Sequence, residues 1–296
     1  MLFEKLKERF PNIRQNEPLK NHCTFRVGGP ADFFYELYNV EELPELIRLV
    51  EENSIRYRLI GRGTNVLFTD KGYGGIIIKN LSNEYRIEND VISANSGLLL
   101  SQIIRLCLDH DLSGLEPLYG LPGSIGGAVW GNAGIPGTEI GQFVKKVVIF
   151  NAGDGVREVP AEEISFQYRR TSLQGTPDII MHVVLKLEKG QGSASKEYMK
   201  KIDEIRRGKQ PIGYTAGSFF KNPSPDKPAG LLIDQTGLKG KRNGDAEISL
   251  KHANFFMNTG HATAAQILEL ADTAQEKVKE KFSIDLEMEV KIIGDL

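Results

Sequence analysis

The sequence predicts an α+β protein made of two sheet-and-helix units joined near residue 190. Three observations lead there. Short β-like runs dominate residues 24 to 95, with one helix among them. A long run, Ile-Ile-Met-His-Val-Val-Leu-Lys-Leu-Glu, alternates so that Ile179, Met181, Val183, Leu185 and Leu187 share one face. Finally, the polar, small-residue run Gly190-Gln-Gly-Ser-Ala-Ser reads as a boundary, and helices of a different texture follow it.

Taken in order, residues 1–10 form a short amphipathic helix (Leu2, Phe3, Leu6, Phe10) stopped by Pro11. Strands are expected at TFRV (24–27), RYRLI (56–60), NVLF (65–68), GGIIIKN (74–80) and VISA (91–94), and a helix runs from Val40 to Glu52 with apolar positions 43, 46, 47 and 50. A second helix, Leu98 to Asp111, puts Leu99, Ile103, Leu106 and Cys107 on one face. After a glycine-rich loop region come VKKVVIF, a turn at Asn151-Ala-Gly-Asp-Gly and the long alternating strand. Beyond the boundary lie a charged helix (196–208) and a helix from Thr263 to about Phe282. In the latter, Thr263 and Gln266 form a capping box and Ile267, Ala271, Ala274 and Val278 the buried stripe. The chain closes on a strand, Ser283 to Ile293, alternating at Ile284, Leu286, Met288, Val290 and Ile292.

Composition narrows the function. Thirty-seven Lys+Arg against thirty-nine Asp+Glu give a net charge of −2, which excludes a chain-wide basic footprint for nucleic acid. Cys23 and Cys107 cannot build a disulfide framework, and no CxxC is present. MLFEKLKERF interleaves acids and bases with no apolar core, so it is no signal peptide, and a cytoplasmic location is expected. Pro117 to Thr138 carries no charge, but its seven glycines and three prolines exclude a lipid-exposed span. There is no GxxxxGK[ST], HExxH or GxSxG, and the five histidines lack ligand spacing, so no metal is expected.

Four segments stand out. Ile60-Gly-Arg-Gly-Thr-Asn-Val-Leu-Phe exposes backbone N–H groups suited to a diphosphate, although spacing alone favours a plain glycine turn. Gly120-Leu-Pro-Gly-Ser-Ile-Gly-Gly-Ala-Val-Trp-Gly-Asn-Ala-Gly has more glycine than a connector needs, and reads as backbone lying against a flat or phosphorylated ligand. Ala216-Gly-Ser-Phe-Phe-Lys-Asn-Pro sets a hydroxyl, an ammonium and an amide around two aromatics. As a strand it would put Ser218, Phe220 and Asn222 on one face, and an edge strand with a wet face explains it equally well. Phe166-Gln-Tyr-Arg-Arg-Thr-Ser places Arg169 beside Tyr168. The residues alone indicate a nucleotide-like ligand and leave the chemistry open.

In series, TFRVGGPA, GRGTNVLF, GLEPLYGLPGSIGGAVWGNAG, FQYRR, AGSFFKNP, LIDQTGLKG, HANFFMNTGHATA and LEMEVKIIG resemble the UDP-N-acetylenolpyruvoylglucosamine reductases from about Asn21 to Ile293. The resemblance implies a two-subdomain FAD-binding fold of the vanillyl-alcohol-oxidase type over residues 1–190, with a boundary near 80–90. An α+β substrate-binding domain over 191–296 would follow, in the shorter form of the family. It implies non-covalent FAD, NADPH as co-substrate, and reduction of UDP-N-acetylglucosamine enolpyruvate for peptidoglycan precursors, with no obligate protein partner, nucleic acid or membrane.

Carried over by motif, Ser218 is the proton donor, and Arg169 and Glu289 stabilise charge on the substrate carboxylate. Gly61, Gly63, Thr64, Asn65, Val66, Gly120, Pro122, Gly123, Ser124, Gly127, Asn132 and Gly134 fall in the cofactor loops, and Lys209, Asn222 and Tyr168 match substrate contacts. This chain departs from the family's usual pattern at Cys23, Thr64 and Gly131; Thr64 keeps a hydroxyl. A flavin oxidase of the same fold using O₂ is the alternative, and its members commonly tether flavin through His or Cys, which GRGTN lacks. A catalytically silent nucleotide-binding protein would be expected to lack the Ser218, Arg169 and Glu289 set.

Overall fold

The computed structural model describes residues 2–190 and 192–295. Positions 1, 191 and 296, which bound the expected domains, lie outside the described residues, as do the side chains of Leu2 and of residues 192–194. The chain forms two compact units. One comprises Phe34–Arg62, Ile76–Ile205 and the N-terminal residues up to Arg14; the other comprises Gln15–Phe33, Gly63–Gly75 and the chain from Arg206 on.

The first unit is centred on a five-stranded antiparallel sheet in the order Gly155–Pro160, Val144–Asn151, Ile179–Lys186, Val91–Asn95, Tyr85–Glu88. Val147 pairs with Val159 on one side and Val183 on the other, and Val183 pairs in turn with Ala94. Helices α1 (Leu2–Arg9), α2 (Leu43–Glu52), α3 (Leu100–Asp109) and α4 (Ile125–Trp130) belong to this unit. α2 buries Leu43, Leu46, Ile47 and Val50, as its period requires. Ile103, Cys107, Ile125 and Val129 share one core with Val147, Ile149, Val183 and Leu185.

Three expectations need correcting here. The strand Ile179–Lys186 does not simply alternate, because Ile180 and Val184 are buried as well; a strand covered on both faces reads as continuous apolar sequence. α3 turns a slightly rotated face inward: Leu100, Ile103, Ile104, Cys107 and Leu108 are buried, while Leu99 precedes the helix and Leu106 is only half-buried. The glycine-rich region is not all loop, since Ile125–Trp130 is helical behind a Ser124 N-cap whose Oγ accepts from the Gly127 N–H.

α5 (Gly192–Lys209) starts a turn earlier than the charge pattern indicates, and the chain passes from the first unit to the second within it. The second unit also contains α6 (Ala229–Gln235), α7 (Ala264–Phe282) and a three-stranded antiparallel sheet of Arg242–Asn243, Ala246–Ile248 and Phe256–Asn258. α7 has the expected reciprocal capping box of Thr263 and Gln266 and buries Ile267, Leu270, Ala271, Ala274 and Val278. Asp70 reinforces its start, accepting from the Ala264 and Ala265 N–H groups at 2.8 and 2.9 Å.

Two expected strands fail in this unit. TFRV is a turn and loop after a 3-10 helix, Leu19–His22, with Arg26 at φ 56°. The closing strand shrinks to Lys291–Ile293, which runs parallel to Val66–Phe68, and its buried positions are Leu286, Val290 and Ile293. Residues 287–289 bond instead to the 219–221 segment, so the extended chain changes partners and keeps no single pleat.

Candidate active site

The segment Gly217–Lys221 is not a regular strand. Gly217 sits at φ +82°, and the segment makes isolated bridges, Ser218 to Phe255 and Phe220 to Met288, in place of a regular ladder. Phe219 and Phe220 are both fully buried, with Phe219 4.5 Å from the Phe256 ring and 5.2 Å from that of Phe220. The expected shared face for Ser218, Phe220 and Asn222 is therefore absent, because Phe220 turns into the aromatic core while Ser218 and Asn222 line a cavity of about 290 Å³. Lys221 places its ammonium 2.6 Å from Glu287 Oε1.

The same cavity is lined by Asp234, Lys239, Lys251, His252 and Asn254, none of which was singled out from the sequence. Lys239 and Asp234 form a 2.6 Å ion pair, and Lys251 donates to the Arg207 carbonyl near the end of α5. His252 Nδ1 accepts from the Asn254 N–H at 3.2 Å, which leaves the ring proton on Nε2. Burial, then the neighbouring Lys239 charge, push the His252 pKa below the usual imidazole value. The histidine count looks scattered along the chain, and only the LIDQTGLKG and HANFFMNTG strings mark this wall. Asn222 Oδ1 accepts from the first N–H of α6 at 3.0 Å. Lys209 lies exposed in the last turn of α5 and does not line the cavity.

Glu289 is tied to the Ser218 segment through its backbone: its N–H donates to the Phe219 carbonyl at 2.8 Å. Its own carbonyl accepts from Asn65 Nδ2 at 3.2 Å, and the Lys291 N–H donates to the Asn65 carbonyl. The GRGTN loop thus feeds directly into the Val66–Phe68 strand beside Glu289.

In the first unit Tyr168 and Arg169 are the two tip residues of a tight hairpin, flanked by the pairs Gln167–Arg170 and Phe166–Thr171. Arg169 takes φ 54°, a left-handed conformation costing a non-glycine residue on the order of 1–3 kcal/mol. Its guanidinium donates to the Gly134 carbonyl at 2.5 Å and lies 4.9 Å from the Tyr168 ring centre. The fully buried Asn132 braces this hairpin, donating to the Gln167 carbonyl and Glu139 Oε2 and accepting from the Gly141 N–H.

Each unit contains glycines whose backbone makes close approaches. In the first, Gly120 and Gly123 take φ +82° and +128° ahead of the Ser124 cap, and a Cβ at Gly61 would collide with Ser124 Oγ. In the second, Gly63 at φ +69° lies so close to the His22 carbonyl that no Cβ fits. Beside it the Thr24 N–H donates to the Gly63 carbonyl, while Thr24 Oγ1 is buried with no hydrogen bond among the described residues. An orphaned hydroxyl of that kind costs about 1–3 kcal/mol, which a polar ligand reaching it would relieve.

Comparisons with known proteins give the family. Residues 210–293 match the model for the UDP-N-acetylenolpyruvoylglucosamine reductase C-terminal domain, and residues 31–158 match an FAD binding domain. The chain is 38% identical to the UDP-N-acetylenolpyruvoylglucosamine reductase of Caldanaerobacter subterraneus subsp. tengcongensis, over 100% of this chain and 99% of the relative. It is 40% identical to that of Carboxydothermus hydrogenoformans, over 99% and 98%. The crystal structure of UDP-N-acetylenolpyruvylglucosamine reductase from Thermus caldophilus superimposes with a TM-score of 0.80 at 35% identity, covering 95% of this chain and 97% of that one. Matched along its whole length in sequence and fold, the chain belongs to the UDP-N-acetylenolpyruvoylglucosamine reductase family and is an FAD-binding oxidoreductase.

Proposed function

We propose that the protein is a cytoplasmic, NADPH-dependent reductase that converts UDP-N-acetylglucosamine enolpyruvate to UDP-N-acetylmuramate for peptidoglycan precursor synthesis. In this reading residues 1–190 hold the cofactor, and 191–296 hold the substrate together with Tyr168 and Arg169. Bound FAD supplies the hydride chemistry, from NADPH to the vinyl terminus of the enolpyruvyl ether. Ser218 delivers the proton that C2 needs as negative charge develops there. Arg169 and Glu289 serve the substrate carboxylate, the first as a fixed cation and the second as a hydrogen-bonding carboxyl. Asn222, Tyr168 and Lys209 hold the nucleotide part, and the glycine loops at Gly61–Val66 and Gly120–Gly134 hold the cofactor.

The observation that carries this reading is that Ser218 lines a cavity together with Asn222, the Lys239–Asp234 pair and Lys251, polar and cationic groups suited to an anionic substrate. Supporting it, the Ser218 segment is bonded through Phe219 to the backbone of Glu289. Stopped-flow of Ser218→Ala tests it. Reduction by NADPH needs no proton donor to carbon and should bleach the flavin at near-normal rate, whereas return of colour with substrate should slow by ~10²–10⁴-fold. Equal slowing of both half-reactions would make Ser218 a structural residue.

A further inference from the structure

The segment that carries Ser218 has no regular strand on either side, yet its backbone is fixed. On one side Phe219 offers its carbonyl to the Glu289 N–H at 2.8 Å, and the Lys221 N–H reaches the Glu287 carbonyl. On the other, the partner is mostly one side chain. Asn254 accepts the Phe220 N–H on Oδ1 at 2.9 Å and donates from Nδ2 to the Phe220 carbonyl at 2.8 Å. Its own carbonyl takes the Phe219 N–H at 2.8 Å. The carboxamide acts as a peptide group of an adjacent strand, binding both polar atoms of one residue. Asn254 is 2% exposed.

We propose that Asn254 is a positioning residue for the reaction: it locks the Phe219–Phe220 peptides and so sets the Ser218 hydroxyl in register with Glu289. The inference rests on Ser218 being the proton donor. The carboxamide bonds both the N–H and the carbonyl of Phe220, so its effect falls on orientation, where an error of about 1 Å can cost ~10²-fold in rate.

Asn254→Asp in the FAD-loaded, full-length enzyme gives the test. An ionised carboxylate cannot donate to the Phe220 carbonyl, whereas a protonated one has the same shape, with O–H in place of N–H. At pH 8, flavin reoxidation at saturating substrate should slow by ~10–100-fold. Flavin reduction by NADPH, flavin content and substrate Kd by equilibrium dialysis should stay unchanged. As the pH falls toward 5, Asn254→Asp should recover rate relative to both wild type and Asn254→Ala. Those two share the nearby His252, Asp234, Lys239, Lys251, Glu287 and Glu289 and fix the baseline for their titration. A raised Kd with normal saturated rate would make Asn254 a ligand contact and overturn the proposal, as would equal slowing of both half-reactions or absence of low-pH recovery. If the Asp variant does not fold, Asn254→Ala carries the same comparison of Kd, reduction and reoxidation. Should Ser218→Ala slow both half-reactions, the donor assignment itself has failed; should it slow only the second while the Asn254 variants behave as wild type, this proposal fails alone.

Discussion

His252 shares its cavity with Ser218, and its chemistry depends on contacts that the sequence does not display. Its Nδ1 holds a backbone N–H, its ring stacks edge-on to Phe255 at 4.8 Å, and a Cβ on Gly230 would press on its Cε1. Burial and then Lys239 lower its pKa in the folded protein, so on acidification the unfolded chain takes up a proton first, near the ordinary value of ~6.5. With more protons bound in the unfolded state, stability rises with pH in that window and is lost as the pH falls below it toward the folded pKa. His252→Gln should therefore flatten the fall of Tm between about pH 7 and pH 5; an unchanged slope would show that the imidazole does not titrate with folding. Arg169 and Glu289 were identified by motif resemblance alone. The strained φ of Arg169 and the backbone link of Glu289 to Phe219 are tertiary facts.

At the scale of elements, α7 was legible because its signals are local: the Thr263–Gln266 box and the 267, 271, 274, 278 stripe fall within one window. Thr263→Ala should cost ~0.5–2 kcal/mol through the lost cap, a fall of a few degrees in Tm; no change would mean that Asp70 alone satisfies the helix start. α4 was not legible. Glycine in a helix costs up to ~1 kcal/mol relative to alanine, so Gly126 and Gly127 argue against helix. Tertiary packing reverses that preference, since a Cβ at Gly126 would lie 2.6 Å from Ser96 Cβ and 2.9 Å from its carbonyl. The TFRV run failed for a related reason: its β-rich composition is overridden by the positive φ of Arg26 and by the Thr24 bond to the Gly63 loop.

For the whole molecule, the glycine loops lie in both units, Gly61 and Gly120–Gly134 in one and Gly63–Val66 in the other. Neither loop contains Cys or His. Next to Gly63, Cys23 is buried, with its thiol donating to the Val27 carbonyl and its pKa raised by that burial, and His22 is paired with Glu17 at 2.8 Å. Acid precipitation should therefore release all yellow colour into the supernatant; colour retained by the protein would mean a covalent flavin. Among the described residues no helix is long and apolar enough to cross a membrane. The sequence by itself determined the α+β class, most helices, the three strands Val91–Asn95, Val144–Asn151 and Ile179–Lys186 of the first unit's sheet and, through ordered motif strings, the family. The tertiary structure decided the conformation of Gly217–Lys221, the wall of the cavity and the partners of the last strand. The physical reason is range: periodicity and capping are satisfied within a few residues, whereas the groups that fix Phe220 lie 34 residues away at Asn254, beyond any local pattern.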